Sequence, residues 1–219
     1  MFVDLIFVKS DLDNTPVVTI DGRMFYRTHT PHEPEESMTT QLHHYAKRRG
    51  YQGKKVASIV WRELSQPTTI YSSLPLPKSD REDGGVSVRL FLKRTHRLSR
   101  SHLFTGDDGK VYRWQAIGGL GCTLTRVEDK QLIAESRIRY IDQGPHANTV
   151  KPVLKVETKG HTLDLNMIML SFLIIDRKRR QKHGEDYRWC PDGTARDEIN
   201  WNYARKHQRP DSNIGAGDT

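Results

Sequence analysis

Positive charge is the first chemistry this chain offers. The stretch "RLFLKRTHRLSR", 89–100, carries Arg89, Lys93, Arg94, Arg97 and Arg100. A cluster of about four to eight cations is what a surface of lipid phosphates attracts. The same spacing also suits a solvated strand and loop with scattered charge. A second candidate lies in "YRWCPDGTARDEINWNYARKHQR", 187–209, where Tyr187, Trp189, Trp201 and Tyr203 are interleaved with Arg188, Arg196, Arg205 and Lys206. Rings between cations can stack on bases while the cations hold phosphates. They can equally anchor a protein partner, with Trp189, Trp201, Tyr203 and Arg205 as the contact residues. Asp186, Asp192, Asp197 and Glu198 weaken the field of this segment, which ranks nucleic acid below lipid.

Catalytic patterns are missing from the sequence. It holds no Gly-x-Ser-x-Gly elbow, no phosphate loop ending in Gly-Lys-Ser/Thr and no His-Glu-x-x-His. "GGLGC" at 118–122 lacks the third glycine and the following helix of a dinucleotide loop, and reads as a β-turn. His29 with His32, or His43 with His44, has no third ligand at a metal-site spacing, so these read as surface histidines. The expectation is a non-enzymatic binding or scaffolding module with no metal and no cofactor.

Composition sets the frame for that module. The 219 residues suit one domain with a tail. A hydrophobic fraction of 35%, a charged fraction of 28% and a mean hydropathy of −0.71 describe a soluble monomer with an economical core. The net charge of +8 makes phosphate-bearing partners plausible. Cys122 and Cys190 have no companion at disulfide-framework or zinc spacing, which fits a reducing, intracellular setting. "MFVDLIFVKSDLDN" has neither the charged start nor the cleavage site of a signal peptide and reads as a first strand. The expected location is cytoplasmic, with peripheral membrane or nuclear residence as alternatives.

Short strands dominate the pattern. They are predicted near 3–8, 16–20, 24–29, 38–43, 54–62, 68–74, 86–93, 101–105, 111–116, 121–127, 132–140 and 152–158. In "VSVRLFLK" Val86, Val88, Leu90 and Leu92 share one face while Ser87, Arg89 and Lys93 share the other, as a half-buried strand requires. Large rings at Trp61, Trp114, Tyr26 and Tyr112 on these strands read as core. "TIDGRMFYRTHT" (19–30) resembles "GDDGKVYRWQA" (106–116), each being an Asp-Gly turn followed by a Tyr-containing run. "KKVASIVWRE" and "QLIAESRIRY" follow the two copies, each with a small residue inside an apolar run. Two related sheet halves are one reading, and chance recurrence of Asp-Gly turns is the other.

One segment breaks the strand pattern. In "LDLNMIMLSFLIIDRKRRQK", 163–182, the apolar part is shorter than the roughly 20 residues a membrane span needs. Its Leu, Met and Phe content favours helix, and its apolar residues cover the whole circumference, which marks a buried helix. Thr162 is the predicted N-cap, with Asp164 and Arg177 to Arg180 matching the two dipole ends. A buried helix among strands fits best inside a closed antiparallel barrel of about twelve strands, with the RKRR block where the helix leaves the barrel for water. A nuclear-localisation reading of that block is optional.

Taken in order, "NTPVVTIDGRMFYRTHTP", "KVASIVWRE", "RSHLFTGDDGKVYRWQ", "LIAESRI" and "LDLNMIMLSFLIIDRKRR" resemble an uncharacterised fungal domain family near the plant LURP-one-related proteins, within the tubby C-terminal-like superfamily. The resemblance implies a mainly β barrel domain over 1–183 around a central helix. Residues 184–219 would then form a polar, aromatic tail whose end is disordered. It also implies an analogy with phosphoinositide binding by surface Lys and Arg, at the level of fold and not residue by residue.

Overall fold

The computed structural model describes residues 1–31, 38–45, 53–62, 67–79, 81–96, 99, 101–117 and 121–182. Thirteen strands run in chain order as β1 (Phe2–Phe7), β2 (Pro16–Val18), β3 (Met24–His29), β4 (Met38–His44), β5 (Lys54–Trp61), β6 (Thr69–Ser72), β7 (Val86–Ser87), β8 (Lys93–Arg94), β9 (Ser101–Thr105), β10 (Val111–Ile117), β11 (Gly121–Arg126), β12 (Leu132–Ile141) and β13 (Thr149–Glu157). A single helical turn, α1 (Val88–Phe91), separates β7 from β8, and the long helix α2 (Leu165–Lys182) follows β13.

All thirteen strands join one antiparallel sheet in the order β7-β6-β5-β4-β3-β2-β1-β13-β12-β11-β10-β9-β8. That order divides into two meanders of the same form, β1 to β6 and β8 to β13, joined where β1 pairs with β13 from Phe2↔Glu157 to Ile6↔Val153. The repeat seen in the sequence is structural. In the first copy Thr19 N donates to Arg23 O and Gly22 N to Thr19 O; in the second Gly106 N donates to Lys110 O and Gly109 N to Gly106 O. Gly22 and Gly109 take the same positive φ, 78° and 75°, which only glycine adopts without strain. The copies differ by one residue, and the difference is a β-bulge. Val17 pairs with Tyr26 but Val18 with Met24, which skips Phe25 and returns Tyr26 to the core face. A different bulge, present in both copies, explains the small residue in each apolar run. The registers Leu42↔Ala57, His43↔Lys55 and Leu124↔Ala134, Thr125↔Leu132 leave Val56 and Ile133 unpaired, each just before its alanine.

Among the described residues, hydrogen bonding does not close the sheet into the barrel expected from sequence. β7 and β8 are its two ends and do not pair with each other. The reason lies in 86–93, which is not one strand. Val88, Phe91 and Leu92 are buried at a helical spacing, Ser87 Oγ accepts from Arg89 N at 3.3 Å, and Leu92 N donates to Val88 O. The apolar residues of this segment fit both periods, and the helical one prevails. Because only 88–92 separate the edges in sequence, β7 and β8 lie within about 20 Å of each other.

The sheet therefore curls around α2. Every residue from Met167 to Ile175 is at most 4% exposed, so no face of the helix meets water there. Strands far apart in the sheet reach it together. Phe7 on β1 meets Phe172 at 5.5 Å between ring centroids, and Trp114 on β10 meets the same ring at 5.9 Å. The helix's polar residues are placed to receive ring donors. Trp114 Nε1 donates to Ser171 Oγ at 2.9 Å, and Tyr26 OH donates to Asn166 Oδ1 at 3.0 Å. Trp61, Trp114, Tyr26 and Tyr112 are all buried, as expected.

Both helix ends differ from expectation. Asp164, not Thr162, is the N-cap: its Oδ1 accepts from Asn166 N and its carbonyl from Met167 N. Thr162 instead donates its hydroxyl to Asp108, while Asp107 accepts from Asp164 N, so the turn before β10 holds the helix start. The RKRR block does not simply emerge into water. Arg177 pairs with Asp13 and covers the Trp61 ring at 4.2 Å, Arg179 and Arg180 pair with the 3%-exposed Asp176, and Arg180 also donates to Ser10 O.

Two substitutions test this core. Leu170→Asp places an unpaired carboxylate at a 0%-exposed site and abolishes cooperative folding, read by circular dichroism and thermal melting. Ser171→Ala orphans Trp114 Nε1 and lowers stability by about 1–3 kcal/mol in denaturant titration; an unchanged midpoint would refute the role given to that bond.

Candidate anion site at the open seam

The pseudo-twofold relation makes one position special. The counterpart of the β1–β13 ladder would pair β6 with β8, yet at that place β6 pairs with β7 and the chain crosses to β8 through α1. Three basic side chains, Arg89, Arg94 and Lys178, gather at this crossing, with Lys93 on the other face of β8.

Arg94 is the register partner of His102, so the two share a face of the sheet. His102 in turn opposes Trp114, which bonds Ser171 of α2. Lys178 lies two helical turns beyond Ser171 on the same side of the helix. Arg89 sits on α1 beside β8. Arg89, Lys93 and Arg94 are exposed, Lys178 is half-buried and His102 is only 8% exposed. His102 Nε2 has no hydrogen-bond partner among the described residues. None of Arg89, Lys93, Arg94 and Lys178 makes an ion pair among them either, whereas the neighbouring Arg177, Arg179 and Arg180 all do.

The electrostatics follow from that imbalance. Burial, and then the guanidiniums of Arg94 and Arg89, lower the Lys178 ammonium to about 8. Burial, and then Lys178 and Arg94, lower His102 to about 4. Like charges gathered without a carboxylate oppose folding, and such arrangements concentrate where a ligand supplies the missing charge. A phosphate or carboxylate seated here would accept from the guanidiniums and from His102 Nε2.

The other sequence candidates separate cleanly. Of the five basic residues singled out, the fold places Arg89, Lys93 and Arg94 at the seam, while Arg97 and Arg100 lie outside the described residues. Trp189, Trp201, Tyr203 and Arg205 lie outside them as well, as does His32. His29 Nδ1 contacts Asn14, and His43 contacts Gly53 O and Gln41. No group of three or more His, Cys, Asp or Glu among the described residues could hold a metal ion. Cys122 is fully buried and its thiol is pushed up to about 12 by that burial, so it is no nucleophile. Sequence reasoning missed Lys178 and His102. Lys178 was hidden inside a uniformly basic block, and His102 carried only the alternation of β9.

By fold the chain is a mainly β protein made of two related six-strand meanders on one central helix. It belongs to DUF6593, a family of unknown function, whose model matches residues 10–181. A comparison with curated proteins finds no match. Among solved structures, an X-ray structure of a protein from Arabidopsis thaliana is similar with a TM-score of 0.44 and 11% identity, over 82% of this chain and 91% of that one. No helix among the described residues is long and apolar enough to cross a membrane.

The site makes a prediction about pH. Folded His102 refuses a proton that the unfolded chain accepts, so stability is full above about pH 6.5 and is lost as pH falls towards about 4. Between pH ~6.5 and ~5 the loss from this residue is about 2 kcal/mol. His102→Gln removes that part of the slope in denaturant titrations at the two pH values, and an undiminished slope would refute the assignment.

Proposed function

We propose that this chain is a non-catalytic binding module that recognises anionic phospholipid headgroups, phosphoinositides among them, through the basic seam. The observation that carries the reading is the grouping of Arg89, Arg94 and Lys178 with no carboxylate among the described residues to neutralise them. Exposed cations beside a membrane each contribute about 1 kcal/mol of attraction to anionic lipid. The partly enclosed Lys178 and His102 add a place for one headgroup anion and not only a diffuse field. The tubby-like resemblance of the sequence supports the same ligand class by analogy of fold. On this reading the protein works at the intracellular face of a membrane as a peripheral, monomeric domain.

Flotation with liposomes tests it. Phosphoinositide-containing vesicles should carry the protein up the gradient at physiological salt, and neutral vesicles should not. High salt should release it. The double variant Arg89→Gln/Arg94→Gln should weaken the affinity by on the order of thirtyfold. Equal flotation with neutral vesicles, or none with either, would defeat the proposal.

A further inference from the structure

The lipid reading uses the seam's charge but not the chemistry of its amine. We propose that Lys178 is a carbamylation site, at which the side-chain amine adds carbon dioxide and the resulting carbamate is held by Arg89, Arg94 and His102 Nε2.

The surroundings of Lys178 meet the requirements one by one. The nucleophile is the free amine, and here it is available: with its ammonium lowered to about 8, Lys178 carries on the order of a hundredfold more free amine near neutral pH than an ordinary lysine. The groups facing it are Arg89 from α1, Arg94 from β8 and His102 from β9. On α2 itself Asp176 is committed to Arg179 and Arg180. Among the described residues no carboxylate is therefore in place to restore the ammonium or to repel a new anion. The negative end of α2 opposes an anion near its last turn, but two guanidiniums outweigh a partial charge.

In the step itself, the nitrogen lone pair attacks the carbon of CO₂ and a C–N bond forms. One C=O π pair moves onto oxygen, and the nitrogen loses a proton to solvent or bicarbonate. Nothing is oxidised or reduced. The product exchanges a repelled cation for an anion with lone pairs for both guanidiniums and for His102 Nε2, which has no partner among the described residues. CO₂ suits a half-buried amine because a linear triatomic electrophile needs little room.

The test uses the full chain in ¹³C-labelled bicarbonate near neutral pH. A ¹³C carbamate resonance should appear, and trapping with a trialkyloxonium reagent followed by digestion and mass spectrometry should place it on Lys178. Its occupancy should exceed that of the exposed Lys54 and Lys55 by at least about tenfold and should fall by a similar factor in Arg94→Gln. Lys178→Arg should lose the signal, whereas flotation of the unmodified chain in bicarbonate-free buffer reads lipid binding by itself, so that the lipid reading and this one can fail separately. Trapping no greater on Lys178 than on Lys54 and Lys55 would overturn the proposal. So would a site that binds inorganic phosphate but forms no carbamate. Mapping the unmodified protein needs no variant, and a poorly folding Lys178→Arg would therefore leave the test intact.

Discussion

Burial of α2 on every side is the constraint from which the rest of the molecule follows. A helix with no water-facing stripe cannot lie on a sheet; it needs a sheet that goes around it. Thirteen short antiparallel strands supply that wrap, and the bulge shared by both meanders, with the further one between β2 and β3, takes up the mismatch between period-two strands and a curved surface. The helix then dictates where polar groups are tolerated. Ser171 sits inside, and Asn166 half inside, because Trp114 and Tyr26 present donors to them, which turns two interruptions of the apolar run into registration marks between helix and strands.

Much of this was legible in the residues. Eleven of the twelve predicted strand segments each overlap one observed strand, the twelfth, 86–93, is divided among β7, α1 and β8, and the apolar run from 163 identified both the helix and its burial. The repeat was visible because Asp-Gly turns leave a fixed chemical trace, and its one-residue irregularity was not, because a bulge has no side-chain signature at Phe25. The failures have a common physical origin. "VSVRLFLK" satisfies periods 2 and 3.6 at once, so local pattern could not choose, and the position beside α2 decided for a helical turn. Thr162 and Asp164 are both competent caps; the partner on another hairpin, Asp108, took the threonine.

The basic seam shows the same division between composition and position. Four consecutive cations in "RKRR" look equivalent, yet three are tied to Asp13 and Asp176 and one is not. Only the rotation of α2 and the register of β8 on β9 reveal which one shares its surroundings with Arg89 and Arg94. The departure from twofold symmetry and the concentration of uncompensated charge fall at the same place. The first meander spends its last strand on β7 and α1 and leaves β8 without the neighbour that β1 has in β13.

The β1–β13 ladder also sets the order of events during synthesis. Residues 2–6 wait for 153–157, and the whole concave lining waits for a helix that lies later still in the chain. A ribosome making about 5–20 residues per second therefore holds half a sheet, apolar face open, for many seconds before its filling is available. Contacts of such long sequence separation make folding slow and leave the nascent chain dependent on whatever shields that face until α2 emerges.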